Sequence, residues 1–244
     1  MMSDREQLIY TMNFLRPHRA LGIEKVRVGP RKDGGYVMLD TLAGCEVLVS
    51  LGIGECVEFD LAFAGGRSGA KVLQYDDSVA GPPASHPSFE FHRQRVGAGL
   101  GEASLADILT RGGVRGRRAI LKCDIEGSEW GLLTDASSAD IGCFERVAIE
   151  LHDFERMVDP RWRIMAFRAL EKVNRTHAAV HVHVNNCGGG LTEVFGLPVS
   201  RVLEVTYARR DLAPFVHSTE EFPTPLDCAN CDWEDIYIGT FAYL

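Results

Sequence analysis

Short apolar segments alternate with longer helix-like segments from residue 46 onward, and this alternation constrains the fold more than any other feature of the chain. Continuous apolar runs of this length are typical of parallel strands that are buried on both faces. The helix-like segments supply the crossovers that parallel strands require. Strands are predicted at residues 46–51, 71–75, 91–96, 118–123 and 146–151. The pattern therefore predicts an α/β fold with a mostly parallel sheet and helices on both faces.

The segments before this core have their own signals. Ser3 and Glu6 have the spacing of a capping box, and apolar residues at helical spacing follow, which predicts a helix over 3–16. A hairpin is predicted over 26–39, because two β-rich runs are joined through an Asp-Gly-Gly turn. Residues 1–40 are therefore expected to form an N-terminal helix and hairpin cap on the core.

Within and after the core, helices are predicted from Ser104 and from Asp159, each of which is a typical N-cap residue. After residue 178 the alternation stops, and β segments at 179–184, 201–207 and 236–241 predict an antiparallel end to the sheet. No linker, repeat or low-complexity tract interrupts the chain. We therefore expect one domain over residues 1–244, with a cofactor-binding core at 45–152 and a C-terminal helix and antiparallel strands at 153–244.

Composition excludes several classes of protein. The 244 residues are 45% hydrophobic, and 26 basic against 34 acidic residues give a net charge of −8, which argues against nucleic acid as a partner. No apolar run approaches the roughly 20 residues that cross a bilayer, and residues 1–6 do not begin a secretory signal. The seven cysteines predict a reducing, cytoplasmic setting, with Cys228 and Cys231 as two loop thiols. The expected partner is a small-molecule acceptor, and the sequence is compatible with a homodimer.

A glycine-containing loop follows the first predicted core strand and an acidic pair follows the second. The loop carries Ser50, Gly52, Gly54 and Glu55, and glycines there let the backbone bend and admit a ligand. Asp76 and Asp77 come 24 and 25 residues after Gly52, where α/β nucleotide sites place a carboxylate that accepts the ribose hydroxyls. Position 57 is valine, so the third glycine of a dinucleotide fingerprint is missing.

Ionisable residues concentrate where the later predicted strands end. Asp124, Glu126 and Glu129 follow the fourth strand, and such close carboxylates repel one another unless cations, donors or protons lie among them. Glu150 and His152 end the fifth strand on the same side of the chain. His181, His183 and Asn185 repeat this pattern in the next β segment, and both strand ends are expected at the sheet edge where Asp124 points. The convergence predicts a site for acid–base chemistry or a divalent metal.

Two motifs in the core resemble the signature of the FkbM-type S-adenosylmethionine-dependent methyltransferases. These are Ser104-Leu-Ala-Asp-Ile-Leu109 and Ile120-Leu-Lys-Cys-Asp-Ile-Glu-Gly-Ser-Glu-Trp130, similar to the family's "sLddll" and "lKiDvEGaE". The likeness covers about residues 45–152. It implies a class I methyltransferase fold, a Rossmann-like seven-stranded sheet whose last strand is antiparallel. The loop at Gly52 departs from the family's Asp-x-Gly-x-Asn pattern, which indicates a divergent branch.

The resemblance and the residue pattern together predict transfer of a methyl group from S-adenosylmethionine to a hydroxyl of a small molecule, such as a sugar or natural product. A binding protein without turnover and an NAD-dependent oxidoreductase are the alternatives. The expected cofactor residues are Gly34, Gly35, Tyr36, Ser50, Gly52, Gly54, Glu55, Asp76, Asp77, Asp124 and Glu126. The expected catalytic residues are Asp124, Glu150 and His152. His152 is favoured as general base in a metal-free site; the metal alternative has Asp124, Glu150, His152 and His183 as candidate ligands.

Overall fold

A computed structural model describes residues 2–65 and 67–243. In chain order the strands are β1 (His18–Ala20), β2 (Lys25–Val28), β3 (Tyr36–Leu39), β4 (Val47–Leu51), β5 (Lys71–Tyr75), β6 (Phe89–His92), β7 (Ala119–Cys123), β8 (Phe144–Leu151), β9 (His177–Val184), β10 (Leu191–Val194), β11 (Leu197–Ser200), β12 (Leu203–Arg209), β13 (Phe215–His217), β14 (Glu221–Phe222) and β15 (Gly239–Thr240). The helices are α1 (Asp4–Met12), α2 (Glu58–Ala64), α3 (Leu105–Arg111), α4 (Glu129–Asp135), α5 (Ser138–Ile141) and α6 (Pro160–Asn174), with 3₁₀ turns at Asn13–Leu15 and Phe154–Val158.

Seven strands form the central sheet in the order β6-β5-β4-β7-β8-β12-β9. Strands β4 to β8 pair in parallel, whereas β12 runs antiparallel to both β8 and β9. Counted within the sheet, the order is 3-2-1-4-5-7-6, with the seventh strand inserted beside the fifth. This is the Rossmann-like fold of class I methyltransferases, so the predicted fold class is confirmed.

Most predicted elements lie within a few residues of their observed positions. The strand predicted at 91–96 is displaced: β6 pairs with β5 from Phe89 to His92, and Val96 forms an isolated bridge to Ala103. The strand predicted at 236–241 is wrong: only Gly239–Thr240 is extended, paired with β14. Ile236 and Ile238 instead pack against the core from an irregular segment. Apolar residues in a short coil therefore gave a false strand signal.

The two faces of the sheet are covered by different elements. Leu121 and Cys123 of β7 join the core that includes residues of α1, α3, α4 and α6. Ile120, on the opposite face, packs with residues of α2 and of the β2–β3 hairpin. Lys122 and Glu150 alternate onto this hairpin face of their strands, so polar groups lie beneath the hairpin. Within the described residues, no helix is long and apolar enough to cross a membrane.

A C-terminal strap, defined as residues 218–238, is tied to β9 and the turn after it. His181 Nε2 lies 2.8 Å from Asp227 and His183 Nε2 lies 3.0 Å from Asp235. A disulfide joins Cys187 to Cys231, 44 residues apart in sequence. The prediction that Cys231 is a loop thiol is therefore wrong, since its partner is a cysteine that local spacing does not reveal; Cys228 is free.

Candidate active site

A cavity of about 530 Å³ opens at the carboxyl ends of β4, β5 and β7. This size is typical of small-molecule sites, and the carboxyl edge of a parallel sheet is where such folds bind ligands. Its lining includes most of the residues expected to bind the cofactor: Gly34, Gly52, Gly54, Glu55, Asp76, Asp77, Asp124 and Glu126. The structure thus brings eight of the residues predicted to bind the cofactor to one cavity.

The glycines of the loop after β4 have separate reasons to be glycine. Gly52 has φ +70°, and a Cβ there would lie 1.6 Å from the carbonyl oxygen of Asp124, so any side chain would collide with the end of β7. Gly54 has φ +48°, and a Cβ would meet nothing within 4 Å. Gly52 thus brings two strand ends together, while Gly54 leaves the cavity floor open.

Asp76 organises this loop through its carboxylate. Oδ2 accepts hydrogen bonds from the amides of Ile53 (3.0 Å) and Gly54 (2.9 Å), and Oδ1 accepts from the amide and hydroxyl of Ser78 (2.7 and 2.6 Å). Burial opposes the charge, but these hydrogen bonds lower the pKa of Asp76 below its usual value. The four bonds use the acceptor positions of the carboxylate, whereas Asp77 beside it is exposed.

Three of the expected cofactor residues do not line the cavity. Ser50 is buried, and its hydroxyl donates to Asp60 Oδ1 at 2.8 Å, on the side of α2. A Cβ on Gly35 would lie 2.2 Å from the carbonyl oxygen of Pro30, so this glycine serves the hairpin turn. Tyr36, the first residue of β3, has a buried side chain. These corrections share one cause: residues that flank a cavity-lining turn point into the packing behind it.

The three acids after β7 have three different environments. Asp124 is partly exposed in the cavity, and Glu126 is exposed at its rim. Glu129 is fully buried, where it accepts hydrogen bonds from the amides of Gly127 (2.8 Å) and His152 (2.6 Å). Glu129 therefore fixes the turn after β7 to the end of β8. Its role as a brace between two strands was not predicted.

Asp124, Glu150 and His152 form a cluster, defined here as the acid–imidazole cluster. One ligand atom from each lies within 4.8 Å of those of the other two. The amide of Asn185 donates to Glu150 Oε1 at 2.5 Å, and the Nδ1 of His152 lies 3.1 Å from Glu129 Oε1. The expected convergence of β7 and β8 is confirmed, and Asn185 reaches it from the end of β9.

Glu150 and His152, the two members of the cluster that end β8, have shifted pKa values. Burial, together with the charges of Asp124 and Glu204, raises the pKa of Glu150 well above its usual value. Burial opposes the charged form of His152, but the hydrogen bond and charge of Glu129 outweigh it and raise the pKa of His152 to about 9. The imidazole therefore carries a proton at neutral pH. The predicted role of His152 as general base would require the imidazole to lose this proton before the reaction.

His183 lies outside the cluster, contrary to its place among the candidate metal ligands. Its Nδ1 is 3.0 Å from Glu204, and its Nε2 is 3.0 Å from Asp235. Both ring nitrogens are therefore engaged, and the two carboxylates raise the pKa of His183 to about 10 against the opposing effect of burial. The reason is topological: β12 separates β9 from β8, so Glu204 stands between His183 and Glu150.

Lys122 is a cavity residue that the sequence interpretation did not single out. Its buried ammonium donates to the carbonyl of Gly52 and lies 3.7 Å from Asp124 Oδ2. Burial disfavours its charge, but the carboxylates of Asp124, Asp60 and Glu150 raise the pKa of Lys122 above its usual value. A lysine in a buried strand directly before an acid was the available signal. Lys122 thus links the glycine-containing loop after β4 to Asp124.

Comparisons with known proteins find similarity only at the level of structure. No protein-family model and no curated protein sequence matches the chain. Solved structures that it resembles include a fibrillarin/Nop5p complex (TM-score 0.40, 10% identity, 80% of this chain and 98% of that one). They also include the N-terminal domain of EvdMO1 with SAH bound (0.35, 12%, 69% and 76%) and the antibiotic-resistance methyltransferase Kmr (0.34, 14%, 76% and 100%). Likeness this weak carries no information about activity.

Proposed function

We propose that the chain is an S-adenosylmethionine-dependent methyltransferase that modifies a hydroxyl oxygen of a small molecule. The observation that carries the proposal is the position of Asp124. It lines the glycine-walled cavity and also belongs to the acid–imidazole cluster. A cofactor in the cavity and an acceptor at the cluster would therefore meet at one residue.

The cavity residues fit the chemical groups of this cofactor. Backbone amides and an open glycine at position 54 suit the close approach of a methionine moiety, and Glu55, Asp77 and Glu126 offer carboxylates to its ammonium and ribose hydroxyls. When bound, S-adenosylmethionine supplies a methyl group that an acceptor oxygen displaces in line, with the bonding electron pair left on sulfur. The missing third glycine and the acidic loop disfavour the alternative dinucleotide.

The acid–imidazole cluster would hold the acceptor hydroxyl, with the carboxylates of Asp124 and Glu150 as hydrogen-bond acceptors. Glu150 is oriented by Asn185, and His152 is oriented by Glu129, so the groups that face the acceptor are fixed before it binds. Carboxylates accept hydrogen bonds from hydroxyl groups, and this favours an uncharged, hydroxyl-bearing acceptor over an anionic one. The fixed cluster also distinguishes the enzyme hypothesis from a binding protein without turnover.

Two measurements test the proposal. Calorimetric titration with S-adenosylhomocysteine should show binding to the purified chain, and no binding at about 1 mM would contradict the cofactor assignment. Transfer of labelled methyl to a panel of sugars and natural-product alcohols should then show turnover. The double variant Asp124→Asn/His152→Ala should lose about 100-fold or more of this turnover, while Glu193→Gln, an exposed change on β10, should keep it. Full activity in the double variant would exclude the cluster.

A further inference from the structure

We propose that the acid–imidazole cluster binds one divalent metal ion of the first transition series, and that this ion receives the acceptor hydroxyl. The inference deepens the proposed function and rests on it for the role of the ion. The binding of the ion itself can be tested without cofactor or acceptor.

The donor set and its placement are the first argument. Two carboxylates and one imidazole, with their ligand atoms within 4.8 Å of one another, are a mixed oxygen and nitrogen set of the kind that Mn²⁺, Fe²⁺ and Zn²⁺ accept. Asp124 faces the cavity, whereas Glu150 is buried behind it. An ion held by the three would keep open coordination positions on the cavity side, where an acceptor enters.

The groups behind the cluster orient it in the way that metal ligands are oriented. Glu129 Oε1 lies 3.1 Å from Nδ1 of His152, which leaves Nε2 for a ligand. Asn185 donates to Oε1 of Glu150, which leaves Oε2. On the outer side, the exposed Glu126 carboxylate lies 3.5 Å from Nε2 of His152 and can move away or add an oxygen. Each inner ligand thus has one atom held and one atom free.

Carboxylates and cationic groups are interleaved around the cluster. Glu204 lies opposite Glu150 in the register of β8 and β12 and is bound by His183 and Asn230. Lys122 lies 3.7 Å from Asp124 and also binds the carbonyl of Gly52. A divalent cation held by Asp124 and Glu150 would offset the repulsion between these two carboxylates.

Tyr36 is electrostatically coupled to the same carboxylates. Its side chain is 2% exposed. Burial raises the pKa of Tyr36 well above its usual value, and the charges of Asp124, Glu150, Glu204 and Asp33 add to this effect. The phenol therefore keeps its proton and would donate a hydrogen bond to an oxygen carried by the ion, from water or from the acceptor.

The ion would explain how the acceptor loses its proton. A hydroxyl bound to a divalent metal has a lowered pKa, so its proton can leave to solvent while the oxygen lone pair forms the new bond to the methyl carbon. The carbon–sulfur bond breaks, and its electron pair stays on sulfur. No oxidant or reductant is needed. The acceptors that such a site favours are those with two neighbouring oxygens able to bind one ion.

The test is a titration of the chelator-treated full chain with Mn²⁺ alone, followed by calorimetry and electron paramagnetic resonance. One Mn²⁺ per chain is expected, with nitrogen coupling from His152 in the pulsed spectrum. Glu150→Gln and His152→Ala should each weaken binding at least 10-fold, and Asn185→Ala should weaken it about 10- to 100-fold. Glu193→Gln and His217→Ala, at exposed positions, are the matched carboxylate and imidazole controls and should bind normally.

Two results would overturn the proposal. One is no Mn²⁺ binding to the wild-type chain at about 1 mM; the other is equal binding by the variants and the wild type. Circular dichroism and thermal unfolding check that each variant is folded, and the nitrogen coupling in the wild type needs no variant at all. Titration with S-adenosylhomocysteine in the presence of a chelator separates the two proposals. Retained cofactor binding without any metal site would leave the methyltransferase proposal standing and remove this one.

Discussion

Asp76 shows how a residue predicted for one task can perform another. The sequence placed its carboxylate against ribose hydroxyls, whereas its four hydrogen bonds hold the amides of the glycine loop and Ser78. The position after β5 was predictable because the apolar run ends there. The direction in which the carboxylate points could not be predicted, since it depends on the amides of Ile53 and Gly54, 23 and 22 residues earlier in the chain.

Asp76→Ala should weaken the binding of S-adenosylhomocysteine by about 30- to 1000-fold. Loss of hydrogen bonds to a charged group costs roughly 2–4 kcal/mol, and here it also releases the loop that carries Gly54. Calorimetric titration measures the effect. Asp77→Ala, at the exposed neighbouring carboxylate, identifies the ribose contact if it weakens binding while the loop stays folded. Unchanged affinity in Asp76→Ala would remove this residue from the site.

The β2–β3 hairpin is the element that connects the cavity to the strap. Asp33 and Gly34 line the cavity, and the amide of Asn230 in the strap donates to Asp33 at 3.0 Å and to Glu204 at 2.6 Å. A ligand that contacts the turn would therefore restrain both the hairpin and the strap through Asn230.

Adding S-adenosylhomocysteine should protect the turn at residues 33–36 from amide hydrogen exchange. Gly34 has φ +81° and borders the cavity, so its backbone gains contacts when a ligand binds. Mass spectrometry of exchanged peptides measures the protection, and the β10–β11 hairpin, which does not line this cavity, is the internal control. Equal exchange at the turn with and without ligand would show that it is only a hairpin turn.

At the scale of elements, the sequence predicted what local pattern determines. The ends of β5 and the N-cap of α6 at Asp159 agree with the pattern, because apolar runs and capping residues act over a few residues. The displacement of β6 and the isolation of His183 could not be predicted. Both depend on which strands become neighbours, and the insertion of β12 beside β8 is a long-range choice.

The whole molecule should lose stability between about pH 6.5 and pH 4 through His177. This residue is buried, its Nε2 lies 2.9 Å from the carbonyl oxygen of Phe144, and burial lowers its pKa to about 4. The unfolded chain takes up the proton first as pH falls, so the folded state is penalised progressively below the unfolded pKa. The full penalty is roughly 3 kcal/mol.

Urea unfolding at pH 7.5 and pH 5 measures this loss. His177→Gln cannot titrate, so the free energy of unfolding of this variant should fall less between the two pH values than that of the wild type. His217→Ala, which changes an exposed imidazole, is the control and should resemble the wild type. Equal pH dependence in the wild type and His177→Gln would show that His177 does not contribute.

Because β12 lies between β8 and β9, this part of the sheet cannot pair until β12 has been synthesised. Strands β8 and β9 leave the ribosome first, yet they do not pair with each other, because each pairs with β12. Until residues 203–209 emerge, both strands carry an open edge of the kind that recruits foreign strands. The pairing of β12 with β8 joins Leu203 to Leu151, which are distant in sequence, and contacts of this kind are expected to form slowly. Nascent chains that stall before residue 203 should be the most dependent on chaperones.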